Sequence, residues 1–226
     1  MEWPRTLADA RTLQDRLRQL VVILPFPGEP ACVAGVDAAF TSTHVYAAAC
    51  LYLLPELRCI ERATAIQLLR FPYVPGYLAF REGPAIVAAL SKLKQWPHVI
   101  LVDGQGIAHP RGIGIASHLG VLLGLPAIGC AKTRLIGEHR EPGRNRGAWT
   151  ELLHAGQTVG AVLRTRDGAK PLFVSPGHRT DLDSSIRIVL ACIGRYRIPE
   201  PLRCADMLSK GSRRRGADTA GRQRRG

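Results

Sequence analysis

Val99-Ile-Leu-Val-Asp-Gly-Gln-Gly106 is the stretch of the sequence that decides the fold. Its first half, residues 99–102, is wholly apolar, which is typical of a short strand covered on both faces. Asp103 stands where this strand ends and a glycine-rich loop begins, and the glycines let a ligand or substrate approach the backbone closely. A carboxylate in this position is a common way to hold a metal ion.

Strand and helix patterns lie on both sides of this stretch. Leu13, Leu17 and Leu20 have helical spacing and predict a helix over residues 5–21, and Pro84 is typical of the first turn of another helix. The other predicted elements are strands over 33–39, 45–54 and 59–65, a turn at 55–56, a helix over 114–123, a strand over 127–130, a hairpin of 158–163 and 172–174, and a last helix over 181–194. This order predicts an α/β protein with a mixed central sheet flanked by helices.

The composition bounds the domain number and the class of partner. With 226 residues and 46% apolar content, the chain is long enough for a sizeable core, and we expect one domain over residues 1–209. The net charge of +13 favours a polyanionic partner such as nucleic acid, although a basic protein without such a partner is the alternative. Residues 210–226 contribute +6 of this charge, and their Gly/Arg-rich composition predicts a disordered tail.

The cysteine pattern and the N-terminus bear on location. None of the six cysteines forms a Cys-x-x-Cys pair, so buried free thiols in a reducing cytoplasm fit better than structural zinc or disulfides. The first residues contain no signal-peptide core. Residues 112–131 lack formal charge, but a buried helix, a turn and a buried strand explain them better than a membrane span. We therefore expect a cytoplasmic protein that does not enter a membrane.

Three carboxylates, Asp37, Glu82 and Asp103, lie in largely uncharged stretches on separate predicted elements. Each one alone is also explained as a partner of a backbone amide or an arginine, and Glu82 as an acid near a helix start. Together they would repel one another unless a cation compensates their charge. Carboxylate oxygens select Mg²⁺, with Mn²⁺ as a substitute, and such an ion can activate water beside a phosphate.

The segment 71–80 combines two prolines with an aromatic tip. A stiff loop carrying Tyr73, Val74, Pro75 and Gly76 can wedge between bases and help to force one nucleotide out of the stack. The alternative is a hydrophobic loop that packs on the core.

Further polar residues lie near the predicted strand and helix ends. The Gly104–Gly114 glycines can present backbone amides to a phosphate or a base edge. His109 is a candidate for proton transfer or an ordinary loop hydrogen-bonder, and Lys132 can hold the scissile phosphate or be simply solvated, with Arg134 a weaker candidate of the same kind. His178 lies just before the last helix, within reach of a metal site, and Thr180-x-x-Asp183 has the form of a capping box, which leaves Asp183 either a cap or catalytic.

The order of these motifs resembles the endonuclease V family. The resemblance covers residues 10–206 and rests on Gly35-Val-Asp37, on the Pro-Tyr-x-Pro-Gly loop joined to Phe-Arg-Glu82, on Asp-Gly-x-Gly-x-x-His-Pro from Asp103, and on the segments 131–135, 175–179 and 196–203. It implies an RNase H-like fold and a Mg²⁺-dependent DNA repair nuclease that recognises deoxyinosine. Such an enzyme cuts the second phosphodiester on the 3′ side of the lesion and leaves a 3′-hydroxyl and a 5′-phosphate.

The resemblance also implies roles for individual residues. Asp37 and Asp103 would bind the metal with help from Glu82, and Tyr73 would belong to the wedge. Three further positions, Gly104, Gln105 and Gly106, would line the pocket for the flipped base, although some relatives have histidine at Gln105. His109, Lys132 and His178 would support the metal–phosphate site.

Two rival functions remain open on the sequence. One is another RNase H-like nuclease, acting on branched DNA or on inosine-containing RNA. The other is a non-enzymatic nucleic-acid binder, whose affinity would depend steeply on salt. We expect a monomer whose principal partner is DNA that contains deoxyinosine.

Overall fold

The protein forms one eight-stranded sheet with helices on both faces. The structure is a computed structural model that describes residues 3–223, with side chains described as far as Gly216. The strands are β1 (Cys32–Phe40), β2 (His44–Leu53), β3 (Arg58–Leu68), β4 (Val99–Val102), β5 (Ala127–Ala131), β6 (Trp149–His154), β7 (Gln157–Leu163) and β8 (Leu172–His178). The helices are α1 (Leu7–Arg18), α2 (Leu78–Leu90), α3 (Ile115–Leu123), α4 (Leu182–Ala191) and α5 (Glu200–Gln223).

The strand order is β3-β2-β1-β4-β5-β8-β7-β6. The central strands β1, β4 and β5 are parallel, and every other pairing is antiparallel. The predicted α/β class and mixed sheet are therefore confirmed. Because Val36 pairs with Val102, the residues that follow them, Asp37 within β1 and Asp103 just after β4, lie side by side at the carboxyl end of β4.

The apolar run of β4 explains its central position. Alternate side chains of a strand point to opposite faces. Ile100 packs in one buried cluster with Ile86 of α2, while Leu101 packs in a second cluster with Ile188 of α4. Both faces of the strand are thus covered, and all four of its residues are buried.

Helix α2 begins earlier than predicted. It starts at Leu78, so Pro84 lies inside the helix and not in its first turn. The reason is packing, because Ala79 and Phe80 are buried and Phe80 joins Phe71 in an aromatic cluster that draws the preceding residues into the helix. Glu82 consequently lies on the second turn of the helix, not before its start.

The C-terminal segment begins differently from the prediction. Helix α5 was not predicted, and it continues past the expected boundary at residue 210 as far as Gln223. Ser209 and Ser212 are buried, which fixes the middle of the helix on the sheet. The last part of the predicted tail, residues 224–226, lies outside the described residues.

The start of α4 differs from the predicted capping box. Asp181 is the N-cap, and its carboxylate accepts the Ser184 N–H at 2.8 Å. The Thr180 hydroxyl instead donates to the Ala127 carbonyl at 3.1 Å. Asp183 is exposed in the first turn, so the structure gives it neither a capping contact nor a place at the carboxylates.

Two further predictions concern thiols and membranes. All six cysteines are free, and four are buried while Cys59 and Cys204 are half-buried. Within residues 3–223, no helix combines the length and the apolar character that a membrane crossing requires.

Candidate active site

Asp37 is held by a contact from helix α5. The Ser209 hydroxyl of α5 donates to its Oδ2 at 2.9 Å. Burial, and next the neighbouring charge of Asp103, raise the pKa of Asp37 to about 6. The carboxylate is thus held beside a like charge in a partly desolvated position, where a bound cation would favour its ionised form.

Glu82 reaches the same place from α2. It is only 9% exposed, and burial followed by the charges of Asp37 and Asp103 raises its pKa well above the ordinary value for a glutamate. The three predicted carboxylates are therefore electrostatic neighbours, although they come from three separate elements.

Lys132 follows β5 and forms an ion pair with Asp103. Burial is the largest single effect and would lower the pKa of Lys132, but the hydrogen bond to Asp103 and the charges of the nearby carboxylates together outweigh it, and the pKa is raised. The ammonium group therefore stays charged beside the carboxylates, where the sequence predicted a phosphate-binding lysine.

Asp206 is a fourth carboxylate that the sequence analysis missed. It lies on α5, and its charge contributes to the raised pKa values of both Asp37 and Lys132. Lys210, one turn further along, donates to it at 2.8 Å. Its position three residues after segment 196–203, one of the motifs that carry the family resemblance, could have indicated it. However, no helix was predicted there to bring Asp206 to the site.

The donor set fits a hard divalent cation. Asp37, Glu82, Asp103 and Asp206 supply only carboxylate oxygens, the ligands that Mg²⁺ prefers. In the described part of the chain, however, no three Asp, Glu, His or Cys side chains are already arranged to hold a metal ion. Asp103 is instead paired with Lys132, so a cation would have to compete with that ion pair.

The loop with Tyr73 at its tip stands beside these carboxylates. Tyr73 is 70% exposed, as a wedge requires, and the loop is not packed on the core at this point. The Gly76 carbonyl at its base accepts three hydrogen bonds, from Gln14 Nε2 at 2.9 Å, His109 Nε2 at 3.1 Å and Arg111 Nη2 at 2.7 Å. The tip is therefore exposed while the base is fixed.

His109 belongs to this loop support. Its Nε2–H donates to Gly76, and its Nδ1 accepts the Arg111 N–H at 3.2 Å. Burial, followed by the charge of Arg111, lowers the pKa of His109 to about 4. The imidazole is neutral near pH 7 with both nitrogens engaged, so the structure favours the loop hydrogen-bonder over the proton-transfer role.

A cavity of about 470 Å³ lies between the loop and Asp103. Its wall includes Val74, Asp103, Gly104, Gln105, Lys132 and Arg134. Gly106 is not part of this wall, and its N–H donates to the Ser175 hydroxyl at 2.7 Å. Gln105 Nε2 donates to the Thr133 carbonyl at 3.2 Å, and its buried Oε1 has no partner among the described residues.

His178 does not join the site. It pairs with Ala127, at the start of β5, whereas Lys132 follows the other end of that strand. Its Nδ1 accepts the Val22 N–H at 3.2 Å, and burial followed by Arg179 lowers its pKa. The structure thus places His178 at the end of β5 opposite to Lys132, away from the metal–phosphate site that the resemblance implied for it.

Comparison with known proteins identifies the family. The family model of endonuclease V matches residues 15–207. The chain belongs to the endonuclease V family. Endonuclease V of Roseiflexus sp. (strain RS-1) is 48% identical over 211 residues, which cover 93% of this chain and 95% of that relative.

Solved endonuclease V structures agree with the fold. The enzyme from Streptomyces avermitilis has a TM-score of 0.91 at 45% identity, with 95% of this chain and 96% of that chain covered. The enzyme from Ciona intestinalis, solved with a 24mer DNA containing an inosine followed by a ribo-adenosine, has a TM-score of 0.81 at 26% identity, with 92% and 98% covered. The predicted RNase H-like fold is thereby confirmed.

Proposed function

We propose that this protein is a DNA repair enzyme that recognises deoxyinosine and hydrolyses the second phosphodiester on its 3′ side. The observation that carries the proposal is the convergence of Asp37, Glu82 and Asp103, the last of which lines a cavity that the Tyr73 loop also lines. The complex of the Ciona intestinalis enzyme with inosine-containing DNA supports the choice of lesion.

The carboxylates Asp37, Glu82, Asp103 and Asp206 would hold Mg²⁺, or Mn²⁺ in its place. When bound, such an ion supplies activation of water and neutralisation of charge at phosphorus. Lys132 adds a positive charge next to Asp103, where it would stabilise the scissile phosphate. In-line attack of water on phosphorus with departure of the 3′-oxygen leaves a 3′-hydroxyl and a 5′-phosphate.

The Tyr73 loop would separate the strands, and the cavity would receive the flipped base. Extruding a base costs a few kcal/mol of stacking and pairing, which an exposed ring on a fixed loop helps to offset. Hypoxanthine carries an N1–H donor where adenine has an acceptor. Backbone amides and carbonyls of the cavity wall can read this N1–H and the 6-oxo group.

A second substrate, inosine-containing RNA, is favoured by one observation. The DNA bound by the Ciona intestinalis enzyme carries a ribo-adenosine directly after the inosine, so a ribose is accommodated by that protein next to the lesion.

The cytoplasmic location and the monomeric state stay predictions.

The test is cleavage of matched inosine DNA, inosine RNA, undamaged duplex and four-way junction with Mg²⁺, with the cut position mapped. We expect inosine-dependent nicking at the second 3′ phosphodiester. Asp103→Asn should lower the single-turnover rate about 100-fold or more, while Asp183→Asn, an exposed control, should cut normally. Equal cutting of undamaged duplex would refute the specificity, and normal cutting by Asp103→Asn would refute the metal role.

A further inference from the structure

A basic segment of α5 follows directly after the fourth carboxylate. It comprises Lys210, Arg213, Arg214 and Arg215. The family model ends at residue 207, so this segment lies beyond the part of the chain that the model matches. The positive charge here is therefore a property of this chain that the family assignment does not explain.

The segment is fixed on the sheet. Ser209 bonds Asp37, Ser212 is buried, and a Cβ added to Gly216 would lie 2.5 Å from the hydroxyl oxygen of Tyr46. Tyr46 pairs with Ala39, two residues beyond Asp37 on β1. Helix α5 thus runs past the carboxylates along the sheet and carries its basic side chains with it.

Helical spacing places Arg213 on the side of α5 that carries Asp206. Asp206, Lys210 and Arg213 are separated by four and then three residues, so they share one face of the helix. At about 1.5 Å per residue, Arg213 lies roughly 10 Å along the axis from Asp206. Lys210 forms an ion pair with Asp206, whereas Arg214 is exposed and Arg213 is half-buried.

We propose that Arg213 and Arg214 bind the phosphate backbone of the substrate duplex beside the cut. The inference rests on the proposed function, which places the scissile phosphate at the carboxylates. Since a duplex rises about 3.4 Å per base pair, a distance of roughly 10 Å corresponds to about three base pairs from that phosphate. Guanidinium groups at this distance contact phosphates without reading bases, so they add affinity and register on one flank.

The salt dependence of binding tests the proposal. The variant Arg213→Gln/Arg214→Gln is compared with Arg58→Gln/Arg195→Gln, which removes the same charge. Arg58 pairs with Leu53 at the end of β2 away from Asp37, and Arg195 precedes α5, so both exposed controls lie far from the segment. Each phosphate contact contributes about 0.9 to the slope of log K against log salt. We expect the test variant to flatten that slope by about 1.8 and the control variant to leave it unchanged.

Duplexes with shortened flanks locate the contact. Binding is measured in EDTA to duplexes with and without inosine. In one set the flank on one side of the cut is trimmed to about two base pairs, and in the other set the opposite flank is trimmed. The difference in affinity between the unaltered protein and the test variant should vanish when one flank is trimmed and remain when the other flank is trimmed. The proposal would be overturned if both variants had the same salt slope, or if the loss of affinity caused by the test substitutions did not change when either flank was trimmed. Failure of the proposed function would show separately, as a lack of inosine-dependent cutting by the unaltered protein with Mg²⁺.

Discussion

His118 shows what burial does to a single ionisable residue in this protein. It is fully buried on α3, its ring stacks on Trp3 with centroids 5.5 Å apart, and Phe80 meets it edge-on at 5.0 Å. Neither ring nitrogen has a hydrogen-bond partner among the described residues. The imidazole therefore serves as an aromatic packing group, and burial lowers its pKa to about 4.

This pKa makes His118 a source of acid sensitivity. The pKa of His118 is 6.5 in the unfolded state and about 4 in the folded state. The unfolded state therefore takes up a proton first, and the stability contributed by neutral His118 is lost as the pH falls from 6.5 to 4. His118→Phe keeps an aromatic ring but cannot titrate. Between pH 6.5 and 4, we expect the free energy of unfolding of the unaltered protein to fall by about 3 kcal/mol relative to the variant. Denaturant unfolding at several pH values measures this, and parallel curves for the two proteins would contradict it.

At the scale of elements, the contact between α5 and β1 brings Asp206 to the other carboxylates. A Cβ added to Gly35 would lie 2.1 Å from the backbone carbon of Pro201, so the helix can approach the strand this closely only at a glycine. The loss of this contact would move Ser209 away from Asp37 and Asp206 away from the site.

Two glycine substitutions should consequently have opposite effects. Gly35→Ala must push α5 off the sheet, and we expect a loss of about 3 kcal/mol or more in the free energy of unfolding. Gly211→Ala is the control, because its Cβ would meet only an arginine side chain at 3.6 Å within the helix, and it should stabilise the protein by about 0.5–1 kcal/mol. Chemical denaturation compares the two, and a neutral Gly35→Ala would show that the close contact is not required.

The same elements show which parts of the fold the sequence could predict. The central strands were predicted to within a residue or two because their buried residues form continuous apolar runs. Strand β6 was missed because only Leu152 of it is buried, and α5 because its end has the composition of a tail. Asp103 was found from local sequence, whereas Asp206 looks locally like half of a surface ion pair with Lys210 and reaches the site only through tertiary packing.

Over the whole molecule, the site is assembled from distant parts of the chain. Its carboxylates come from β1, α2, the end of β4 and α5, from residue 37 to residue 206. An unfolded chain cannot bring these groups together, so a cation that binds them binds only the folded state. Metal binding should therefore raise the free energy of unfolding of the whole protein, whether or not a substrate is cleaved.

Thermal unfolding with and without Mg²⁺ measures this coupling. At a Mg²⁺ concentration 100 times its Kd, binding to the folded state alone adds about 2.7 kcal/mol. For a chain of this size that corresponds to a rise in Tm of roughly 5–10 °C. Asp103→Asn should lose most of the rise because it removes one ligand and one of the like charges that the cation neutralises. Asp183→Asn, whose side chain is exposed on α4, should keep it. An equal rise in Asp103→Asn would mean that Mg²⁺ stabilises the protein from somewhere other than the four carboxylates.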